Sequence, residues 1–546
     1  LSSLSTYQFY RPLAIWLNQQ LVSPTGVVNA TLAHIIQISA HLIVVLATFP
    51  LLRAFGFSLW HARLTALLLA IHPFGYQAVA WQAPQQPLAM MFVILSILAA
   101  ASFAQNRQPF LLALSLYAYL VGLFFQESVL PFVFVFPWLA WSKGKTLPPA
   151  RKLALWPLLH IALAMGFVFL WLHVPRAQGI TGTGFEPVVL GYLLQALAIP
   201  LARGIALAGL DLPLAAQLAI YLALWLLLAL GLVKTGKGRA ALFASLWIIA
   251  GVLPVWAGLS WGYVQVGSRL AYPTLVGVAG LWAGCLTWLF GKKNSKTLRI
   301  LAAITAFLLL IISVDEWLRF ERLYQIGTRH LTRAISTMSS NPQSRILLVN
   351  FPDRIEMKPA EYPLGFWGLT LAPVVQDLSD YALATTGHSA ETRSIAHFLT
   401  GADTRETWPY RVDMRGENQE GDGLYAALAW ADVIYLTDYM PDGSLRLRQV
   451  GSITSNEHTD FLVSFGERMQ LTNAEIVRDA TTPTSWQIHL VWHSIGPMQA
   501  GDTIFVHLLT EDGHYVADCD GDSLGGMLPL SAWPPSITVQ EEREFQ

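Results

Sequence analysis

Apolar runs long enough to cross a bilayer, or nearly so, recur along the first part of the chain. They fall at about 28–51, 62–79, 85–104, 109–124, 127–141, 153–174, 213–233, 239–257, 270–290 and 299–315. The expectation is ten spans. A run as short as 109–124 rises only about 24 Å as a helix, against a hydrocarbon core of about 30 Å. Residues 109–141 therefore also read as a broken or partly re-entrant segment. A further run, 187–207, is interrupted by Pro200 and Arg203, and we place it as a peripheral or re-entrant helix at the outer surface.

After residue 315 the pattern changes. Residues 316–340 read as a helical stalk. "RILLVN" at 345–350 is a short apolar strand ending in a turn, "SAETRSIAHFLTG" at 389–401 has helical composition, and "ADVIYLTDY" with "MPDGSLRLRQV" reads as strand, turn, strand. A small α/β domain over 341–455 follows. From 456 the period is two: "SWQIHLVWHS" and "DTIFVHLLTEDGHYVAD" alternate, with Ile504, Val506 and Leu508 on one face and "EDG" at 511–513 as a hairpin turn. This predicts a β-sandwich-like domain over 456–546, ending in the charged run "QEEREFQ" and reading as C-terminally incomplete.

Charge marks the same boundary. Residues 1–314 hold three acids, Glu127, Glu186 and Asp211, against eighteen Lys or Arg; the remainder holds 32 acids and 16 bases. Carboxylates are costly in hydrocarbon, whereas basic side chains can reach the headgroups. The basic clusters Lys143–Lys152, Lys234–Arg239 and Lys292–Arg299 orient their loops toward the cytoplasm, which puts everything after 315 outside the cell. The fold class expected is a polytopic α-helical membrane protein with C-terminal extracytoplasmic α/β and β-sandwich domains. Cys285 and Cys519 lie in different halves, so no internal disulfide and no thiolate metal centre is expected. Asp518, Asp520 and Asp522 lack EF-hand spacing and read as a solvated hairpin tip.

Few polar residues in the membrane half are positioned for chemistry. Glu127 sits between "YLVGLFF" and "SVLPFVF", where an ionised carboxylate needs a partner or a wet cavity. A structural pairing with arginine and a contact with substrate are both open. Arg11 and Arg269 carry donors that suit phosphate oxygens, although each has the blander reading of an interfacial arginine. His72 enters the polar loop "HPFGYQAVAWQAPQQP", and Tyr272 follows Arg269 by three residues.

The ordered strings "FYRPL" at 9–13, "HPFGYQAVAW" at 72–81, "QES" at 126–128 and "SRLAYPTLVG" at 268–277 resemble those of GT-C superfamily membrane glycosyltransferases. The branch that looks nearest is the O-mannosyltransferase-type, dolichyl- or polyprenyl-phosphate-mannose transferase-like one, and the resemblance covers about 1–315. It implies a GT-C-like transmembrane domain that moves a sugar from a polyprenyl-phosphate donor to an envelope glycan, lipid or protein on the outer face of a bacterial plasma membrane, with no nucleic-acid partner. It also implies an outer-loop aspartate as base and, in the intact protein, a divalent cation as a cofactor to be considered. Arg269, Arg11 and Tyr272 would bind the donor phosphate; Glu127 and His72 are the catalytic candidates. The chain departs from the pattern, with Gly75 and Gln77 where the family has His and Glu, Gln85 and Gln86 where it has a charged pair, and no acid before Glu127. It therefore reads as N-terminally incomplete and lacking the catalytic loop. The alternative is a catalytically inactive GT-C relative that acts as a glycan-binding or structural envelope protein.

Overall fold

The computed structural model describes residues 9–23, 27–80, 85–144, 155–174, 184–291, 295–358, 360, 362–365, 368–371, 378–398, 405–454, 460–478, 486–499 and 501–545. The chain forms two compact units: Leu1–Ser23, Val28–Phe320 and Pro359–Trp367 in the first, Pro24–Val27, Glu321–Lys358 and Gly368–Gln546 in the second.

The first unit is helical. Among the described residues, seven helices are long and apolar enough to cross a membrane: Ala30–Ala54, Gln85–Asn106, Trp156–His173, Leu214–Lys234, Gly238–Gly258, Ser268–Leu289 and Lys296–Ser340. The peripheral ones expose large apolar side chains, among them Phe169, Leu226, Leu227 and Phe307. Apolar area of that extent is stable where the surrounding solvent is itself apolar. These features fit a multi-pass membrane protein.

Three of the ten expected spans take another form. The run 62–79 is a 12-residue helix, Leu59–Ala70, followed by a 3-10 turn at Pro73–Gly75 and a short helix at Tyr76–Ala80, because Pro73 removes a backbone donor. Pro109–Phe125 stops after 17 residues, where Gln126 turns extended (φ −160°, ψ 125°). A 3-10 segment containing Pro131 then leads into Val135–Gly144. Residues 109–141 are thus a helix, a break and a helix. The run 187–207 is two nine-residue helices, Pro187–Gln195 and Ile199–Leu207, bent by 104° into either a broken span or a re-entrant loop. The last apolar run continues through the expected stalk as one 45-residue helix, Lys296–Ser340.

The second unit differs from a pair of separate domains. Its strands are β1 (Arg345–Val349), β2 (Pro352–Met357), β3 (Gly368–Thr370), β4 (Glu391–Ile395), β5 (Tyr410–Met414), β6 (Val433–Tyr439), β7 (Leu445–Thr454), β8 (Val463–Phe465), β9 (Met469–Arg478), β10 (Trp486–Ser494), β11 (His507–Leu509), β12 (Tyr515–Asp518) and β13 (Thr538–Glu544). Eight of them form one sheet in the order β4-β1-β6-β7-β13-β10-β9-β8, beside the three-stranded β3-β2-β5 and the hairpin β11-β12. β4, β1 and β6 are parallel and the other pairings in the large sheet are antiparallel.

The boundary expected at 455 is bridged by β13. It pairs with β7 on one side and β10 on the other, joining the two segments in one sheet instead of a sandwich. One core accompanies it, in which Leu347, Leu428, Ile434, Val450, Trp492, Trp533 and Val539 pack together. β7 changes partner from β6 to β13 at Gly451. That residue has φ +133°, and an added Cβ would lie 1.9 Å from the Gln540 carbonyl oxygen, so a glycine is required there. The segment expected to be helical at 389–401 contains the parallel strand β4; the helices of the α/β part are Leu378–Thr386 and Gly421–Trp430.

Candidate functional site

The first unit brings together three of the five residues singled out by sequence. Arg11 immediately precedes the short helix Pro12–Gln20, and its guanidinium holds Glu127 with both forks: Nε donates to Oε2 at 2.8 Å and Nη2 to Oε1 at 2.6 Å. Arg11 Nη1 donates to Gln85 Oε1 at 2.5 Å. Glu127 is delivered to this position by the break after Phe125, which starts a 3-10 turn in mid-run. A bidentate Arg–carboxylate pair of low exposure is strong because few waters compete for it.

Arg269 lies in the 3-10 turn Ser268–Thr274 at the start of an apolar helix. Its backbone N–H donates to Gln77 Oε1 at 3.0 Å, and its Nη2 donates to the Tyr263 hydroxyl at 3.1 Å. Gln77 is held in turn by its own bond to the Val266 carbonyl, 3.0 Å. Gln77 therefore ties the "HPFGYQ" loop to the turn that carries Arg269.

An aromatic pair connects the two arginines. The Arg11 guanidinium lies 4.0 Å from the centroid of Phe9, the Phe9 and Tyr263 rings are 6.4 Å apart, and the Arg269 guanidinium lies 5.6 Å from the centroid of Tyr263. Cation–π contacts of this kind stabilise guanidinium groups where water is scarce. The result is a row of Arg11, Phe9, Tyr263 and Arg269, with Glu127, Gln85 and Gln77 at its ends. Its two cations offset one carboxylate, so the row keeps a net positive charge suited to an oxyanion.

The other two candidates stand apart from that row. Tyr272 is buried, and its hydroxyl meets His41 Nδ1 at 2.8 Å, whereas the Tyr263 hydroxyl meets Arg269. His72 accepts the Phe74 N–H on Nδ1 at 3.2 Å and meets the Ala196 carbonyl through Nε2 at 3.1 Å. A ring that accepts on one nitrogen and donates on the other is a neutral tautomer with both positions engaged, so His72 ties a turn to the bent helix pair.

Residues not anticipated include Tyr263 and a buried acid, Glu316, whose carboxylate accepts from the Tyr362 hydroxyl. Tyr362 belongs to a short segment anchored at Leu364, whose N–H and carbonyl both pair with the Gln195 amide at 3.0 and 2.9 Å. Acids clustered in sequence gave no hint of Glu316, which follows the last apolar run directly. The basic cluster around Lys145, Arg151 and Lys152 lies outside the described residues. No group of three His, Cys, Asp or Glu that could hold a metal ion occurs among the described residues. Their donor set does not fit the divalent cation implied by the resemblance. Compared with protein-family models, curated proteins and solved structures, the chain matches none.

Proposed function

We propose that the protein is a GT-C-like membrane glycosyltransferase that takes a sugar from a polyprenyl-phosphate donor and passes it to an envelope acceptor on the extracytoplasmic face of a bacterial plasma membrane. The observation that carries this reading is the pairing of two guanidiniums, Arg11 and Arg269, through Phe9 and Tyr263 within an apolar helical unit. A lipid-linked phosphate combines an apolar tail with oxyanion charge, and the row answers both. Arg269 and Arg11 hold the phosphate and stabilise the charge that develops on it as the glycosidic bond breaks. Tyr263 orients Arg269, and Gln85 with Glu127 orients Arg11. Topology follows the basic loops, with Lys234–Arg239 on the cytoplasmic side and the second unit outside.

A second reading is favoured by a specific observation about the base. Transfer to a hydroxyl acceptor needs a group that takes its proton. Both Glu127 oxygens accept from the Arg11 guanidinium, so the carboxylate is turned toward the arginine and not toward an acceptor hydroxyl. Both His72 nitrogens are engaged. This supports a catalytically inactive relative that retains the donor site and acts in envelope glycan binding.

Transfer from a radiolabelled polyprenyl-phosphate sugar by the purified protein separates the two. Turnover is the result expected of the enzymatic reading, and binding without turnover is the result expected of the inactive relative. Turnover abolished by Glu127→Gln would make Glu127 the base and restore the enzymatic reading for the chain by itself.

A further inference from the structure

The second unit contains a cavity that the membrane reading does not use. About 460 Å³ opens between the outer side of β4 and the helix Gly421–Trp430, lined among others by Arg393, Ser394, Arg415, Gln419, Gly423 and Ala427. That volume lies within the range of small-molecule sites, roughly 300–1,000 Å³. None of the lining residues is acidic.

The walls are tied together before any ligand arrives. The loop Arg415–Gln419 is bonded to the end of β4, with the Ala396 N–H donating to Glu417 and the Gln419 N–H donating to Ala396, each at 2.9 Å. Gly416 makes this approach possible: it has φ +90°, and a Cβ there would lie 1.9 Å from the Ser394 carbonyl oxygen. On the helix, Gly423 has no side chain and Ala426 and Ala427 only methyl groups, which leaves the cavity's volume open.

Two guanidiniums supply the charge. Arg415 is buried and fixed by Asp353 at 2.8 Å. Arg393 is exposed, and its guanidinium lies 4.1 Å from the centroid of the Trp430 ring. The cation–π contact holds the guanidinium over the ring, and its N–H groups suit a planar or tetrahedral oxyanion. We propose that this cavity binds a small oxyanion-bearing ligand of the size of an acidic sugar, with Arg393 as its principal charged partner and Arg415 behind it. The site lies wholly within the second unit and rests on no step of the membrane reading.

Isothermal titration of the detergent-solubilised full-length protein tests it with glucuronate, with glucose as the neutral match, and with inorganic phosphate as a competitor. Glucuronate should bind, glucose at least tenfold more weakly, and Arg393→Ala should weaken glucuronate at least tenfold while leaving Tm unchanged. Arg393→Lys should restore part of the loss. Displacement of glucuronate by phosphate would assign recognition to the oxyanion alone; its retention would assign it to the oxyanion together with the sugar ring. Equal binding of glucose and glucuronate, unchanged affinity in Arg393→Ala, or no binding of glucuronate would each overturn the proposal.

Discussion

Glu127 and Arg11 show how much one ion pair can decide. Their side chains are 18% and 12% exposed, so removal of either leaves a charge with little water to replace its partner. Glu127→Gln should cost roughly 3–5 kcal/mol, the usual loss when one member of a buried pair is removed. The double change Arg11→Met with Glu127→Leu should cost less, because no charge is then left behind. Thermal unfolding in detergent compares the two variants directly. Cys519 offers a second residue-level check: burial pushes its thiol pKa up to about 11. Only the thiolate reacts with maleimide, so labelling in the folded protein should be slow at pH 7.5 and accelerate as pH rises toward 11. Rapid labelling at pH 7.5 would show the thiol to be less buried than described. The sequence made Arg11, Glu127 and Arg269 legible as rare charges in apolar surroundings. It did not reveal the role of Tyr263, because an aromatic residue in an apolar stretch has the same appearance whether it packs in the core or binds an arginine.

At the scale of elements, close helix packing in the first unit depends on two glycines. A Cβ on Gly277 would lie 2.5 Å from the Ala244 carbonyl oxygen, and one on Gly251 would lie 2.8 Å from the Thr274 nitrogen. Both obstacles are backbone, which cannot rotate away. Gly277→Ala and Gly251→Ala should each destabilise by about 1–3 kcal/mol, measured as a fall in Tm, whereas Gly166→Ala, with open space around it, should leave Tm unchanged. Orientation is testable through the loop Thr235–Lys237: a cysteine replacing Thr235 should react with impermeant reagents only after the cytoplasmic side is opened. Reaction in intact cells would reverse the topology. Apolar period and length were enough to locate most of the helices, yet Pro73, Pro131 and the Gln126 break divide runs whose composition alone is continuous. β4 was hidden for a different reason, since Glu391 and the flanking Ala390 and Ala396 give the segment the composition of a helix, and its parallel pairing is set by β1.

On the scale of the whole molecule, the charged run near the C-terminus has the most consequence. Expected as the charged end of a β-sandwich-like domain, "TVQEERE" is a strand in the middle of the eight-stranded sheet. Its inward face carries Val539, Glu541 and Arg543, with Glu541 accepting from the Trp492 indole at 2.7 Å and Arg543 Nε meeting Glu541 at 3.0 Å. Charges paired in this way pass in sequence for surface, because what buries them, here Trp492 and the core around it, lies far away along the chain. The sheet order makes the second unit one cooperative body, so Glu541→Ala should lower the stability of the α/β strands along with that of the β-hairpins. Hydrogen exchange at β1 and β10 would report the two together. The reading of the first unit is tested most directly by binding of a polyprenyl-phosphate analogue to the protein in nanodiscs, wild type against Arg269→Ala. A charge-assisted hydrogen bond contributes about 1.5–3 kcal/mol, so the variant, while still folded, should bind at least tenfold more weakly. Equal affinity in the two proteins, both folded, would contradict the assignment of the arginine row as the donor-phosphate site.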